Sequence, residues 1–143
     1  MSVTAKSLWP EGFGALAEEQ PPVRILREQA EVLGEQTKNL VEGEVETTTT
    51  DFKRFLRHTF FVVAPALNFY RYPILEVEHS AAKLYPATIK VAWIDKPQEP
   101  NLEVQADNES DFKEELKKVF ADDETQRIVR TLIAQSRDER HSA

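Results

Sequence analysis

Side chains able to exchange protons near neutral pH or to grip a metal are scarce in this sequence, which holds three histidines, His58, His79 and His141, and no cysteine. The missing cysteines remove disulfides, thiolate nucleophiles and thiolate zinc sites together. A metal would need two of the histidines side by side. If Pro65 to Asn68 forms a tight turn, residues whose numbers sum to about 133 pair across the hairpin. That register sets His58 opposite Leu75 and His79 opposite Arg54, more than about 12 Å apart at the usual strand rise. A shared metal is therefore not expected. Glu78 with His79, and Asp51 with His58, are the carboxylate and histidine neighbours that could form a general base. H-E-x-x-H, G-x-S-x-G, G-x-x-x-x-G-K-[ST] and G-x-G-x-x-G are all missing, and four glycines leave little material for a phosphate cradle. The expectation is no catalytic residue, no metal and no cofactor.

Cations offer the next candidate. Lys53, Arg54 and Arg57 lie within five positions in "KRFLRH", and with Tyr72 and His79 they could form a site for an anionic ligand. The structural alternative is a solvated strand edge whose charges resist aggregation. "FYRYPILEV", Phe69 to Val77, crowds three aromatic rings around Arg71 and could stack on bases. Strand parity favours a different account: Tyr70 and Tyr72 share one face before Pro73, whereas Leu75 and Val77 carry the apolar face after it. A bulge at Pro73 explains the slip and excuses the proline from the ladder. A turn at "SAAKL" would then pair Leu75 with Ile89, Val77 with Ala87 and Arg71 with Trp93, the last a cation–π contact.

Charge argues in the same direction. The net charge of −7 divides into −2 over residues 1–20, −3 over 21–46, +2 over 47–100 and −4 over 101–143. Binding to phosphate backbones gains free energy from counterions released by clustered cations, so an acidic chain is expected to bind no nucleic acid. No apolar run is long enough to span a membrane, and the N-terminus lacks a signal-peptide layout, so a cytoplasmic, membrane-free protein is expected.

The elements follow from periodicity. Residues 1–20 carry Trp9 and Phe13 without a period and are read as an irregular segment pinned by those rings. A single domain then covers 21–137, ahead of a frayed tail over 138–143. Pro21 and Pro22 preset a first helical turn. Val23, Leu26, Ala30, Leu33, Thr37 and Leu40 form a helical stripe that Gly43 would stop. "VETTTTDF", "HTFFVVAPAL", the aromatic stretch, "YPATIKVAWI" and "LEVQA" read as strands, with Tyr85, Ile89, Val91 and Trp93 on one face of the fourth. Two helices close the chain, one over Glu109 to Phe120 and one from "ADDET". The fold class is α+β: a long N-terminal helix, an antiparallel meander of four to five strands and two C-terminal helices.

Beside its stripe the first helix carries Ile25 and Val32, one heptad apart, flanked by Glu28 and Glu35. These four form the expected interaction surface, because Ile25 and Val32 widen the apolar band beyond what one sheet face needs. The sequence therefore reads as a non-enzymatic protein-interaction module that binds another protein or its own copy as a homodimer. An inhibitor, antitoxin or immunity-type protein, or a subunit of a larger complex, fits its acidity. The alternative reading is a small-anion binding protein or enzyme with a pocket near Arg54, Arg57, Tyr72 and His79.

Overall fold

A computed structural model describes residues 6–12, 19–50, 52, 54–92 and 103–142, except for the side chains of 141 and 142. The chain runs through helix α1 (Pro22–Gln36), strands β1 (Glu42–Thr50), β2 (Phe55–Ala64), β3 (Tyr70–Ser80), β4 (Ala87–Val91) and β5 (Glu103–Ala106), and helices α2 (Glu109–Ala121) and α3 (Asp123–Ser142). The strands form one antiparallel sheet in the order β1-β2-β3-β4-β5, so the fold is an α+β meander between one helix and two.

All three helices pack on one face of the sheet. From α1 come Ile25 and Leu26, from α2 Phe112 and Leu116, and from α3 Ile128 and Leu132; all bury against Phe60, Val62, Leu75, Val77 and Ile89. The other face is a charge lattice: Arg57 bridges Glu78 at 2.7 Å, and Arg71 bridges Glu44 at 3.2 Å and Glu46 at 2.9 Å. Arg71 also lies 4.0 Å from the centre of the Phe61 ring, so its aromatic partner is Phe61; Trp93 lies outside the described residues.

Helix α1 ends at Gln36, short of Gly43. Lys38 and Asn39 take left-handed φ values of 51° and 63°, and the Thr37 hydroxyl joins the helix end to Val41. Gly43 instead sits in β1, where a β-carbon would run into the backbone of Ala30; its missing side chain lets α1 lie against the strand. Asn108 caps α2 by accepting from the Asp111 N–H at 2.9 Å.

The tail expected to fray continues α3 to Ser142, and Arg140 donates to the Asn39 carbonyl at 3.3 Å. Trp9 keeps 71% of its surface exposed, and Phe13 lies outside the described residues. The anchor of the N-terminal segment is polar: Tyr85 donates its hydroxyl to the Gln20 carbonyl at 2.8 Å, and Gln20 N–H donates to Glu109 at 2.7 Å. Burial, with the Glu109 and Glu19 carboxylates nearby, pushes the Tyr85 phenol up to about 12.

The expected bulge is present. Phe60 pairs with Leu75 and Phe61 with Pro73, which leaves Ile74 as the extra residue. Its insertion turns Tyr72 before it and Leu75, Val77 and His79 after it towards the helices.

Candidate functional site

Two features stand out on the helix-covered face. The first is a histidine pair. His58 pairs across the ladder with Val77, and Leu56 with His79, so the two histidines are diagonal neighbours. Their Nε2 atoms are 2.8 Å apart, and they are only 2% and 5% exposed. This overturns the separation expected from the sequence. A four-residue turn would have joined Ala64 to Phe69, but the chain takes one residue more, pairing Ala64 with Tyr70 through a 3₁₀ turn (Pro65–Leu67) and left-handed Asn68 and Phe69. The Ile74 bulge adds another residue to β3. Together they slide His79 two positions, from opposite Arg54 to opposite Leu56.

Hydrogen bonding assigns the protons of the pair. His79 Nδ1 faces two carbonyl oxygens, Ser80 at 2.8 Å and Lys83 at 3.0 Å, so it carries hydrogen and donates. His79 Nε2 is then the acceptor for the Nε2–H of His58. His58 Nδ1 in turn accepts from the Thr47 hydroxyl at 2.8 Å. The ring centroids are 5.0 Å apart, far more than the nitrogens, so the rings meet nitrogen to nitrogen rather than face to face.

This chain of donors can take up one proton without losing a bond. The proton enters at His58 Nδ1, which becomes a donor to Thr47, while His58 Nε2–H keeps its bond to His79. A second proton would place two N–H groups head to head. Burial, then His79 and Arg27, lower His58 to about 4. Among the described residues no third His, Cys, Asp or Glu joins the pair into a metal-ligand cluster.

The second feature is a cleft of about 360 Å³ between α1 and α3. Its floor is Phe60, Val62 and the bulged Ile74, and its walls are Val32 and Leu33 from α1 and Val129 and Ile133 from α3. Gln29, Gln36, Gln126 and Arg130 rim it. The bulge therefore supplies part of the floor.

The residues singled out from sequence distribute unevenly. Val32 lines the cleft and is 37% exposed, with Glu28 and Glu35 exposed beside it, whereas Ile25 is buried in the core and offers no surface. The candidate anion site does not assemble. Arg57 points to the charge lattice and is neutralised by Glu76 and Glu78, His79 and Tyr72 belong to the opposite face, and Arg54 lies in the β1–β2 turn. Lys53 lies outside the described residues, as does Asp51, the carboxylate considered for His58. Glu78 cannot orient His79, because neighbouring strand residues face opposite ways. Phe69 and Tyr70 are exposed at the β2–β3 turn.

No protein-family model matches the chain, and the searches of curated proteins and of solved structures returned no match. Among the described residues no helix is long and apolar enough to cross a membrane.

Proposed function

We propose that this chain is a non-enzymatic protein-interaction module whose working surface is the cleft between α1 and α3. The observation that carries this reading is the incomplete cover over Phe60, Val62 and Ile74, where two helices stand apart over an apolar floor. At about 360 Å³ the cleft sits at the small end of the range for binding pockets, roughly 300–1,000 Å³. Apolar walls with an amide and guanidinium rim match the plan of a protein interface, with an apolar centre and a polar margin. The histidine pair lies elsewhere on the sheet and its nitrogens are committed to one another, to Thr47 and to backbone carbonyls, so it supports structure rather than turnover. Inhibitor-type and subunit roles both fall within this reading, since each needs a docking face and no chemistry.

The chain lacks cysteine and accepts a single introduced reporter. A photo-crosslinker placed at Val32 or Gln126 in living cells is expected to trap a discrete protein adduct, while the same group at Thr88, on the opposite sheet face, traps none. Equal trapping from both faces, or no adduct from the cleft, overturns the reading.

A further inference from the structure

The sheet ends on one side in a long open edge. Strand β1 pairs with β2 alone, and its nine residues keep one register without a bulge or a proline. The opposite edge, β5, has only four residues. Natural edges are blunted by shortness, bulges, prolines or charges, because their free N–H and C=O groups otherwise pair with another strand. In β1 only charge is available for this, and it covers half the length. Glu42, Glu44 and Glu46 alternate along the first half, the last two already bridged to Arg71, whereas Thr47, Thr48, Thr49 and Thr50 leave the second half uncharged. Thr47, Thr48 and Thr49 are exposed, and the Thr50 hydroxyl is buried with no hydrogen-bond partner among the described residues.

A second copy fits this edge. A two-fold axis perpendicular to the sheet runs the two β1 strands antiparallel and keeps the helices of both copies on one face, so residues that share a face stay opposite each other. With Thr47 on the axis, Glu46 lies across from Thr48, Val45 from Thr49 and Glu44 from Thr50. Every carboxylate of the ladder then meets a threonine, and the unpaired Thr50 hydroxyl meets an acceptor. Other registers do worse: an axis at Glu46 sets two carboxylates against each other, and an axis at Thr48 shortens the ladder to residues 46–50. Beyond the ladder, the β1–β2 turn of each copy runs on towards Glu42 of the other, where β1 and α1 leave a groove lined by Ala30, Gly34, Gly43 and Val45. That turn carries Phe52, 99% exposed at a left-handed φ of 58°, and the exposed Arg54, while Glu35 and Glu42 stand at the groove. A ring and a cation therefore approach a floor of small residues with acidic walls.

We infer that β1 is the seam of a two-fold dimer, in which the sheets of two copies join edge to edge, Thr47 against Thr47, into one continuous antiparallel sheet. Ladder hydrogen bonds supply the adhesion, as in other forms of strand addition, and the division of β1 into a glutamate half and a threonine half supplies the register. This surface is separate from the cleft between α1 and α3. The residues that line the groove beside β1 and those that line the cleft do not overlap, so either can be occupied without the other.

Thr48 tests it, because its two neighbourhoods respond to charge in opposite ways. Within the chain it lies opposite Arg57, so Thr48→Glu favours the fold and Thr48→Lys disfavours it. Across the seam it meets Glu46 of the other copy, and the contact occurs twice. Thr48→Glu is therefore expected to weaken the dimer roughly tenfold and Thr48→Lys to tighten it by a similar factor. The parent is expected to sediment at twice the chain mass at about 0.15 M salt, where charges more than about 8 Å apart are screened. Register is read separately, since the chain has no cysteine of its own. Glu46→Cys and Thr48→Cys, mixed in equal amounts and oxidised, are expected to form an interchain disulfide. Each alone holds its cysteines at diagonal positions about 7–8 Å apart, outside the usual disulfide reach, and is expected to crosslink far less. Circular dichroism checks that each variant is folded; should Thr48→Lys not fold, Thr48→Glu against the parent carries the test. A parent that stays at the single-chain mass at its highest soluble concentration overturns the inference. So do folded Thr48 variants that fail to shift association in the stated directions, and cysteine variants that crosslink alone as readily as together. The crosslink from Val32 reports on the cleft and is indifferent to β1, so the two readings fail separately.

Discussion

Ile25 and Val32 sit one heptad apart on the same flank of α1, yet the first is sealed and the second lies open. The difference is in what the rest of the fold brings to each half of the helix. Over the N-terminal half, α2 closes against α1, and the Gln20, Tyr85 and Glu109 contacts draw the chain in beside it. Over the C-terminal half, α3 stands off and leaves the cleft. Two residues of the same type and spacing therefore have different work, one holding the core and the other lining a surface. Periodicity shows that both are apolar; only the third dimension separates them.

The largest expected effect falls on the sealed half. Ile25→Ala removes buried methyl groups where nothing can collapse freely, and is expected to lower stability by about 2–5 kcal/mol in urea unfolding. A loss comparable to that of Val32→Ala would erase the contrast.

The histidine pair, below Arg27 of α1, makes the sealed half sensitive to acid. His58 is depressed from 6.5 to about 4, so the unfolded chain binds its proton first as pH falls. Stability from this group is complete above pH 6.5, declines as pH falls towards about 4 and levels off below, a loss of about 3 kcal/mol in all. Urea midpoints across that window are expected to follow this slope in the parent and to flatten in His58→Leu. An unchanged slope in the variant would assign the acid limb to other groups.

The smallest effect belongs to the open half. Val32→Ala, measured at low protein concentration, is expected to shift stability by no more than about 0.5 kcal/mol. A larger loss would mean that Val32 is part of the core and the cleft is closed.

Element order and sheet faces were legible in the sequence because they depend on periods of 3.6 and 2 that survive small shifts. Leu75, Val77 and Ile89 could be assigned to an apolar face from alternation alone; in "HTFFVVAPAL" the apolar run of Phe60 to Val63 does not alternate, so it reads as a strand covered on both sides, whereas only Phe60 and Val62 face the helices. Register was not legible, because it depends on the number of residues spent in each turn. The β2–β3 turn takes one residue more than a tight turn, and the bulge beside Pro73 shifts every later pair of β3 by one residue again. In the next hairpin the chain leaves Tyr85 and Pro86 outside β4, so Leu75 meets Val91 and Val77 meets Ile89, two positions from the expected partners. A two-residue slip preserves every face, which is why the core survived it. Proximity along the strand did not survive, and the histidine contact was lost with it. Of the cleft, the sequence disclosed Val32; the α3 wall required knowledge of which helices stand side by side.

Ile74 gives the sheet a kind of reading frame. Upstream of it β3 shows the helices its even-numbered residues, and downstream its odd-numbered ones. Removing that single residue while keeping the upstream pairing would invert everything after it: Leu75, Val77 and His79 would turn to solvent, and Glu76 and Glu78 would turn inward. A comparable deletion in the β3–β4 turn would disturb the Lys83 carbonyl that accepts from His79 but would leave every strand residue on its own face. Insertions and deletions in relatives of this chain should therefore be rarer in the neighbourhood of Pro73 than between Ala81 and Leu84, a pattern set by the phase of one strand rather than by any contact Ile74 makes.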